Sequence, residues 1–167
     1  MNRLLALALL TLAPFAVIAQ DSRKPITNAD VIAAHEASAI ASIMMVGEAE
    51  LIYASSHPDQ GYTGNLAMLG SPGEETIDND LASGHKLGYT LTYTPGKKLK
   101  HGAIRSYTIT AVPDQMGTTG QRRFFADESG EIRYNATGPA DRSSPVICSE
   151  PSPYDSLFPC RSEQPSP

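Results

Sequence analysis

Apolar positions between residues 29 and 54 recur at three- and four-residue spacing, which predicts one face of a long helix. This face consists of Ala33, Ala37, Ile40, Met44, Gly47, Leu51 and Ala54. Ile43, Val46 and Ile52 widen the face until residues 39–47 are apolar almost all round. A helix with that profile is expected to be buried over much of its girth.

Polar positions fix the ends and the expected surface of this helix. Asn28 is the candidate N-cap, and the proline of His57-Pro58 pushes the chain out of helical geometry. At 1.5 Å per residue, a helix over residues 29–54 would be about 39 Å long and would serve as a spine. The polar surface is expected from Asp30, Glu36, Ser38, Ser42, Glu48 and Glu50.

After residue 88 the hydrophobic period changes to two, which is typical of half-buried strands. Four such runs lie at residues 89–94, 107–112, 121–126 and 131–135. Residues 127–130 between the last two runs predict a hairpin loop, with Gly130 at positive φ. No helical pattern interrupts the runs, so an antiparallel meander is expected. The predicted fold class is α+β: a long N-terminal spine helix packed on a roughly four-stranded antiparallel sheet.

Between the helix and the first strand, residues 59–83 are rich in glycine and other turn-forming residues. Residues 65–69 predict a short helical turn that packs Leu66 and Leu69 onto the core. Ile77 and Leu81 are predicted to form a second apolar anchor.

The first 19 residues hold 15 of the 68 hydrophobic residues and form an uncharged run after Arg3. Sixteen residues, at positions 4–19, are fewer than the ~20 that cross a bilayer. Val17 and Ala19 suit the −3 and −1 positions of a signal peptidase site. We therefore expect cleavage between Ala19 and Gln20, with export to the periplasm or the extracellular space; the alternative is an uncleaved membrane anchor.

At the other end, residues 139–167 carry seven of the 13 prolines and predict a Pro/Ser-rich tail after a domain at residues 20–138. Cys148 and Cys160 are the only cysteines. Because exported proteins meet oxidising conditions, a disulfide between them is predicted, although two free thiols are the alternative. Closing this loop would contribute about 3 kcal/mol. The apolar side chains expected to dock the loop are Val146, Ile147, Leu157 and Phe158.

The formal net charge of the chain limits the classes of partner that it is expected to bind. The chain has 13 Lys and Arg against 18 Asp and Glu, a formal charge of −5. A nucleic-acid-binding footprint over the whole domain is thereby excluded. Residues 97–101 form a small basic loop, interpreted as a soluble strand connection rather than a contact for an acidic partner.

Four patterns suggest chemistry, but none of them is complete. His35-Glu36 opens like a zinc-protease helix, but Ala39 stands where the second histidine belongs. Ser83 and Lys86 match a serine–x–x–lysine box without its companion boxes. Asp127, Glu128 and Glu131 offer oxygen ligands for calcium, yet a solvated turn is favoured. Three further histidines are interpreted as solvated loop residues: His57, His85 and His101. We predict no catalytic residue, cofactor or metal, and a non-enzymatic protein.

A series of segments begins with HEASAIAS at residues 35–42 and continues over residues 53–58, 81–84, 88–93 and 107–113. The series shows a resemblance to bacterial type IV pilin-like and pseudopilin-like proteins, which have Asn-Glu-Ala-Ser-Ala-Val at the place of the first segment. It is strongest in GTTGQRRFFAD at residues 117–127 and extends to residue 138. The resemblance covers roughly residues 26–138 and implies the same fold, a spine helix against an antiparallel sheet.

One departure from that family shapes the functional prediction. The prepilin Gly-Phe-Thr-Leu-Ile-Glu processing motif is not found, and polar residues separate the apolar run from the helix. We therefore expect an exported pilin-like headgroup that acts through protein–protein contact, with pilus, secretion or cell-envelope components as partners. The alternatives are a membrane-tethered minor pilin-like subunit and a small hydrolase using Ser83 and Lys86.

Overall fold

One long helix and a meandering sheet make up the fold, in a computed structural model that describes residues 25–147. Each strand pairs with the next in antiparallel orientation, in the order β1-β2-β3-β4-β5. The predicted α+β class and antiparallel meander are confirmed. The elements are α1 (Asn28–Ser56), a 3₁₀ helix (Leu66–Gly70), α2 (Asn79–Ala82), β1 (His85–Lys86), β2 (Tyr89–Pro95), β3 (Tyr107–Pro113), β4 (Arg123–Asp127) and β5 (Arg133–Asn135).

The sheet has five strands in the described residues, where about four were predicted. The additional strand, β1, has two residues that pair with Tyr89 and Thr90 of β2. Two residues cannot show an alternating pattern, so the sequence signal was absent. The other four strands match the predicted runs, although β4 and β5 begin two residues later than expected.

Helix α1 is one continuous helix, as predicted, and is about 43 Å long. Its N-cap is Thr27 rather than Asn28. The Thr27 side chain accepts from the Asp30 amide, and the Asp30 carboxylate accepts from the Thr27 amide, which completes a capping box. At the other end His57 is the C-cap, and its amide donates to the Tyr53 carbonyl.

The predicted buried face of α1 is wrong in part. Met44, Leu51 and Ile52 were expected in the core but are 50%, 59% and 48% exposed. Glu36 and Glu50 were expected in solvent but are 4% and 0% exposed. Because the middle of the helix is apolar almost all round, periodicity alone did not favour one side. The buried residues of α1 are Ile32, Glu36, Ala39, Ile40, Ser42, Ile43, Val46, Ala49, Glu50 and Tyr53.

The core lies between α1 and one face of the sheet. Tyr89 and Leu91 of β2 and Ile109 of β3 are buried against the helix, as the alternation predicted. The segment between α1 and β1 closes one side of this core, and its four predicted anchors are all buried. These anchors are Leu66, Leu69, Ile77 and Leu81.

The described chain continues beyond β5 and packs against it. Ala140 and Ser144 are buried, Val146 forms a bridge with Arg133, and the Ile147 amide donates to a carbonyl of residue 132. The segment predicted as tail thus contributes to the fold as far as residue 147. The predicted disulfide at Cys148 and Cys160 and the predicted cleavage between Ala19 and Gln20 lie outside the described residues.

Candidate functional site

The side of α1 that faces away from the sheet is largely apolar. We call Met44, Met45, Glu48, Leu51 and Ile52 the outer face of α1. The four apolar members are 43–59% exposed, and Glu48 is the one charged side chain among them. Single exposed apolar residues are normal, but several on one helix face indicate a contact surface.

A groove runs along one margin of the outer face. It has a volume of about 340 Å³ and is lined on the helix side by Met44, Gly47 and Leu51. Ile109 and Ile132 line the opposite wall, together with the β4–β5 turn at residues 127–130. The groove therefore extends the apolar surface from α1 towards the sheet.

Glu36 connects the start of α1 to the segment before β4. Its carboxylate accepts hydrogen bonds from the Gln121 amide at 2.8 Å and the Arg122 amide at 3.1 Å. The Arg122 side chain adds an ion pair with N–O distances of 2.8 Å. The Arg122 guanidinium also lies over the rings of Phe124 and Tyr134, at 5.6 and 5.2 Å. This fully engaged carboxylate holds the helix against the sheet.

Glu50 performs a similar role near the other end of α1. Its carboxylate accepts from the Thr63 amide at 2.9 Å and from the Thr63 hydroxyl. The Tyr93 hydroxyl donates to the Thr63 carbonyl at 3.1 Å. Burial, assisted by the nearby Glu50 charge, raises the pKa of Tyr93 above its ordinary value. The cluster fastens the segment after α1 to both the helix and β2.

Ser83 and Lys86 are each engaged with a different neighbour. The Ser83 hydroxyl donates to the Asp80 carbonyl at 2.7 Å. The Lys86 ammonium donates to the Asp78 carboxylate at 2.6 Å, and this hydrogen bond lowers the pKa of Asp78. The two side chains are thus bonded to separate partners, whereas in a serine–lysine pair the lysine amine must accept the serine proton.

His35 and the three acidic candidates of the β4–β5 turn also have structural partners. His35 lies 3.2 Å from the Thr119 carbonyl, and Arg142 pairs with Asp127 and Glu128 at 3.0 and 3.4 Å. Partial burial acts to raise the pKa of Asp127, but hydrogen bonds from residue 129 and the Arg142 charge lower it overall. Within residues 25–147, no group of three or more His, Cys, Asp or Glu side chains is placed to hold a metal ion.

The three loop histidines are not equivalent. His57 stacks on Tyr53 with ring centroids 4.2 Å apart and lies 3.6 Å from Glu74. His85 is an exposed residue of β1. His101 lies beside a second cavity, of about 360 Å³, at the connection between β2 and β3.

By length and composition, α1 is the one described helix that is apolar enough to cross a membrane, with a mean hydropathy of 1.4 over an 18-residue stretch. The core helix of a soluble protein meets the same criterion.

Comparisons with protein-family models, with curated proteins and with solved structures returned no match for this chain.

Sequence reasoning missed the structural role of the two buried glutamates. The available signal was the presence of Glu36, Glu48 and Glu50 in an otherwise apolar helix stretch, because an acid needs partners if its side of the helix is buried. Glu48 is exposed, so the signal did not say which of the three acids are buried. Glu36 belongs to the HEASAIAS segment, and Gln121 and Arg122 belong to the GTTGQRRFFAD segment. The structure therefore joins these two segments through one hydrogen-bonded ion pair.

Proposed function

We propose that this protein is an exported, non-enzymatic pilin-like domain that works through protein–protein contact. Its partner in this proposal is an apolar helix of a type IV pilus or type II secretion subunit. The observation that carries the proposal is the outer face of α1, which leaves four large apolar side chains in solvent.

The spacing of the outer face favours a helical partner. Met44, Glu48, Leu51 and Ile52 follow one another at three- and four-residue intervals, apart from the adjacent last pair, and so form a ridge along α1. Such ridges pack into the grooves of another helix. Glu48 is the one carboxylate on this ridge. In the complex it would lie at the margin of the interface or pair with a cation of the partner.

Site-specific photo-crosslinking tests the proposed surface. A photoreactive residue replaces Leu51 in one variant and Thr92, an exposed position on β2, in the control variant. We expect cross-links to a pilus or secretion subunit from position 51 and not from position 92. Loss of these products in a second experiment with Ile52→Asp would support the surface, because a buried carboxylate opposes apolar packing. Equal products from both positions, or none to such subunits, would contradict the proposal.

The sequence also supports a second arrangement, in which residues 4–19 remain as a membrane tether. The apolar run favours this form, and its short length favours cleavage. Amino-terminal sequencing of the mature protein distinguishes the cleaved form from the tethered form. Gln20 as the first residue agrees with export of a free domain, and an intact amino terminus establishes the tethered form.

A further inference from the structure

The connection between β2 and β3, residues 96–106, carries lysines that the fold does not use. Within residues 25–147, Lys97, Lys98 and Lys100 alone among lysines and arginines have neither a hydrogen bond nor an ion pair from their side chains. All three are exposed. In a chain of net charge −5, this is a local concentration of unneutralised positive charge.

The loop is held in a defined shape by main-chain hydrogen bonds. The Leu99 amide donates to the Ala103 carbonyl, and the Gly102 amide donates back to the Leu99 carbonyl, both at 2.8 Å. Ile104 is fastened to the segment after α1, since its amide donates to Gln60 and its carbonyl accepts from Tyr62. A loop that is already ordered loses little entropy when it binds a partner.

A cavity of about 360 Å³ lies beside these lysines. Tyr53 and Ile104 are buried and Tyr62 and Met68 half-buried among its lining residues, so it offers apolar and aromatic surface. The exposed lining residues are Asp59, Gln60, Lys98, His101 and Gly102. Such a cavity fits one apolar or aromatic side chain of a ligand whose flanking charges are negative.

The neighbouring turn limits the shape of the ligand. The register Thr108↔Asp127 places the β2–β3 connection and the β4–β5 turn at the same end of the sheet. That second turn carries Asp127, Glu128 and Glu131. Arg142 pairs with Asp127 and Glu128, and Arg133 pairs with Glu131, so the turn and its two arginines carry one net negative charge. A flat anionic membrane or a nucleic-acid duplex laid over this end would therefore be attracted by the lysines but not by the turn beside them. A narrow peptide can follow the lysines alone.

We propose that residues 96–106 and the adjacent cavity bind an acidic segment of a partner protein, with one apolar or aromatic side chain of that segment in the cavity. The site is separate from the outer face of α1, so the two proposals stand or fall independently.

A binding titration with a defined peptide tests this site. The probe is a blocked decapeptide of glutamates and aspartates around a single phenylalanine, added to the mature protein at low salt. Replacing Lys97, Lys98 and Lys100 together by Gln is expected to weaken binding about tenfold, since three exposed charge pairs of about 0.5 kcal/mol each together give about 1.4 kcal/mol. Lys86→Gln is the matched control, because that lysine is already paired with Asp78; it should change affinity less than about twofold.

Two further arms make the result decisive. A peptide with serine in place of phenylalanine should bind several-fold more weakly if the cavity is used, and salt should weaken both peptides. Equal affinity of the wild-type protein and the triple variant for the peptide would overturn the proposal. So would lysine-dependent binding to phosphatidylglycerol vesicles without binding to the peptide. Unchanged thermal unfolding of the triple variant establishes that a loss of binding is not a loss of fold.

Discussion

Glu36 and Glu50 are acidic residues on the side of a helix that packs against a sheet. Burying a carboxylate is costly unless donors compensate for the lost water. Here each carboxylate accepts from a segment distant in sequence, Glu36 from residues 121 and 122 and Glu50 from Thr63. Their burial thus selects one rotation of α1 about its axis, because only that rotation satisfies both groups.

The importance of Glu50 can be measured by truncation. Glu50→Ala leaves the buried Thr63 amide without an acceptor and leaves the Thr63 hydroxyl only its 3.4 Å contact with the Tyr93 hydroxyl. We therefore expect a loss of about 2–3 kcal/mol in the free energy of unfolding. Urea denaturation measures this loss.

Glu48→Ala is the matched control, since Glu48 is an exposed acid one half-turn away. It should change the free energy of unfolding by no more than about 0.5 kcal/mol. Similar losses in the two variants would show that Glu50 stabilises the fold no more than a surface acid does.

At the scale of elements, α1 shows how a helix end is chosen between two adjacent candidates. Thr27 and Asn28 are both favourable N-cap residues by type. Thr27 takes the position because Asp30 then stands three residues later and returns a hydrogen bond to the Thr27 amide. Had the cap been Asn28, the third residue after it would have been Val31, which has no such group.

Replacing the two candidates separately tests this assignment. Thr27→Ala should lower the free energy of unfolding by about 1 kcal/mol, because the Asp30 amide loses its acceptor. The measurement is chemical denaturation followed by the circular dichroism of the helix. Asn28→Ala serves as the comparison and should have a smaller effect. A larger loss from Asn28→Ala would contradict the assignment of the cap.

The strands show which signals in a sequence are local. The alternation of Tyr89 and Leu91, and of Tyr107 and Ile109, predicted both the strands and their buried face. Turn residues such as Gly130, with φ of +76°, correctly marked a connection between strands. In contrast, β1 exists because the main chain at Leu87 and Gly88 adopts positive φ and turns His85 and Lys86 back onto β2.

At the scale of the whole molecule, two tyrosines make the free energy of unfolding depend on pH in the alkaline range. Tyr93 and Tyr107 lie on neighbouring strands with ring centroids 5.6 Å apart. Burial raises the pKa of each hydroxyl above the ordinary value of 10.0, and nearby groups including the Glu50 charge add to the effect. The folded state therefore holds these protons more tightly than the unfolded state does.

The sign of the pH dependence follows from this difference. The stabilisation is fully present below the unfolded tyrosine pKa and is lost as the pH rises above it. We expect the free energy of unfolding to fall above about pH 10, by up to about 1.4 kcal/mol per pH unit for each tyrosine that ionises only on unfolding. Urea denaturation between pH 8 and pH 11 measures the slope.

Tyr107→Phe removes one of the two titrating groups without removing its ring. The decline above about pH 10 should then be shallower than in the wild type. A slope identical to that of the wild type would show that Tyr107 ionises equally in the folded and unfolded states.

The sequence by itself determined the order of the elements, the α+β class and the buried side of the central strands. These properties follow from local periodicity and turn residues, which act within a few positions of the chain. Only the tertiary structure decided which side of α1 is buried, that β1 forms, and that Lys97, Lys98 and Lys100 have no side-chain partner within residues 25–147. β1 depends on the positive φ of Leu87 and Gly88, which a two-residue strand does not reveal as an alternating pattern. The other two features depend on where distant segments place their donors, acceptors and charges, and a helix that is apolar almost all round contains no local preference among its faces.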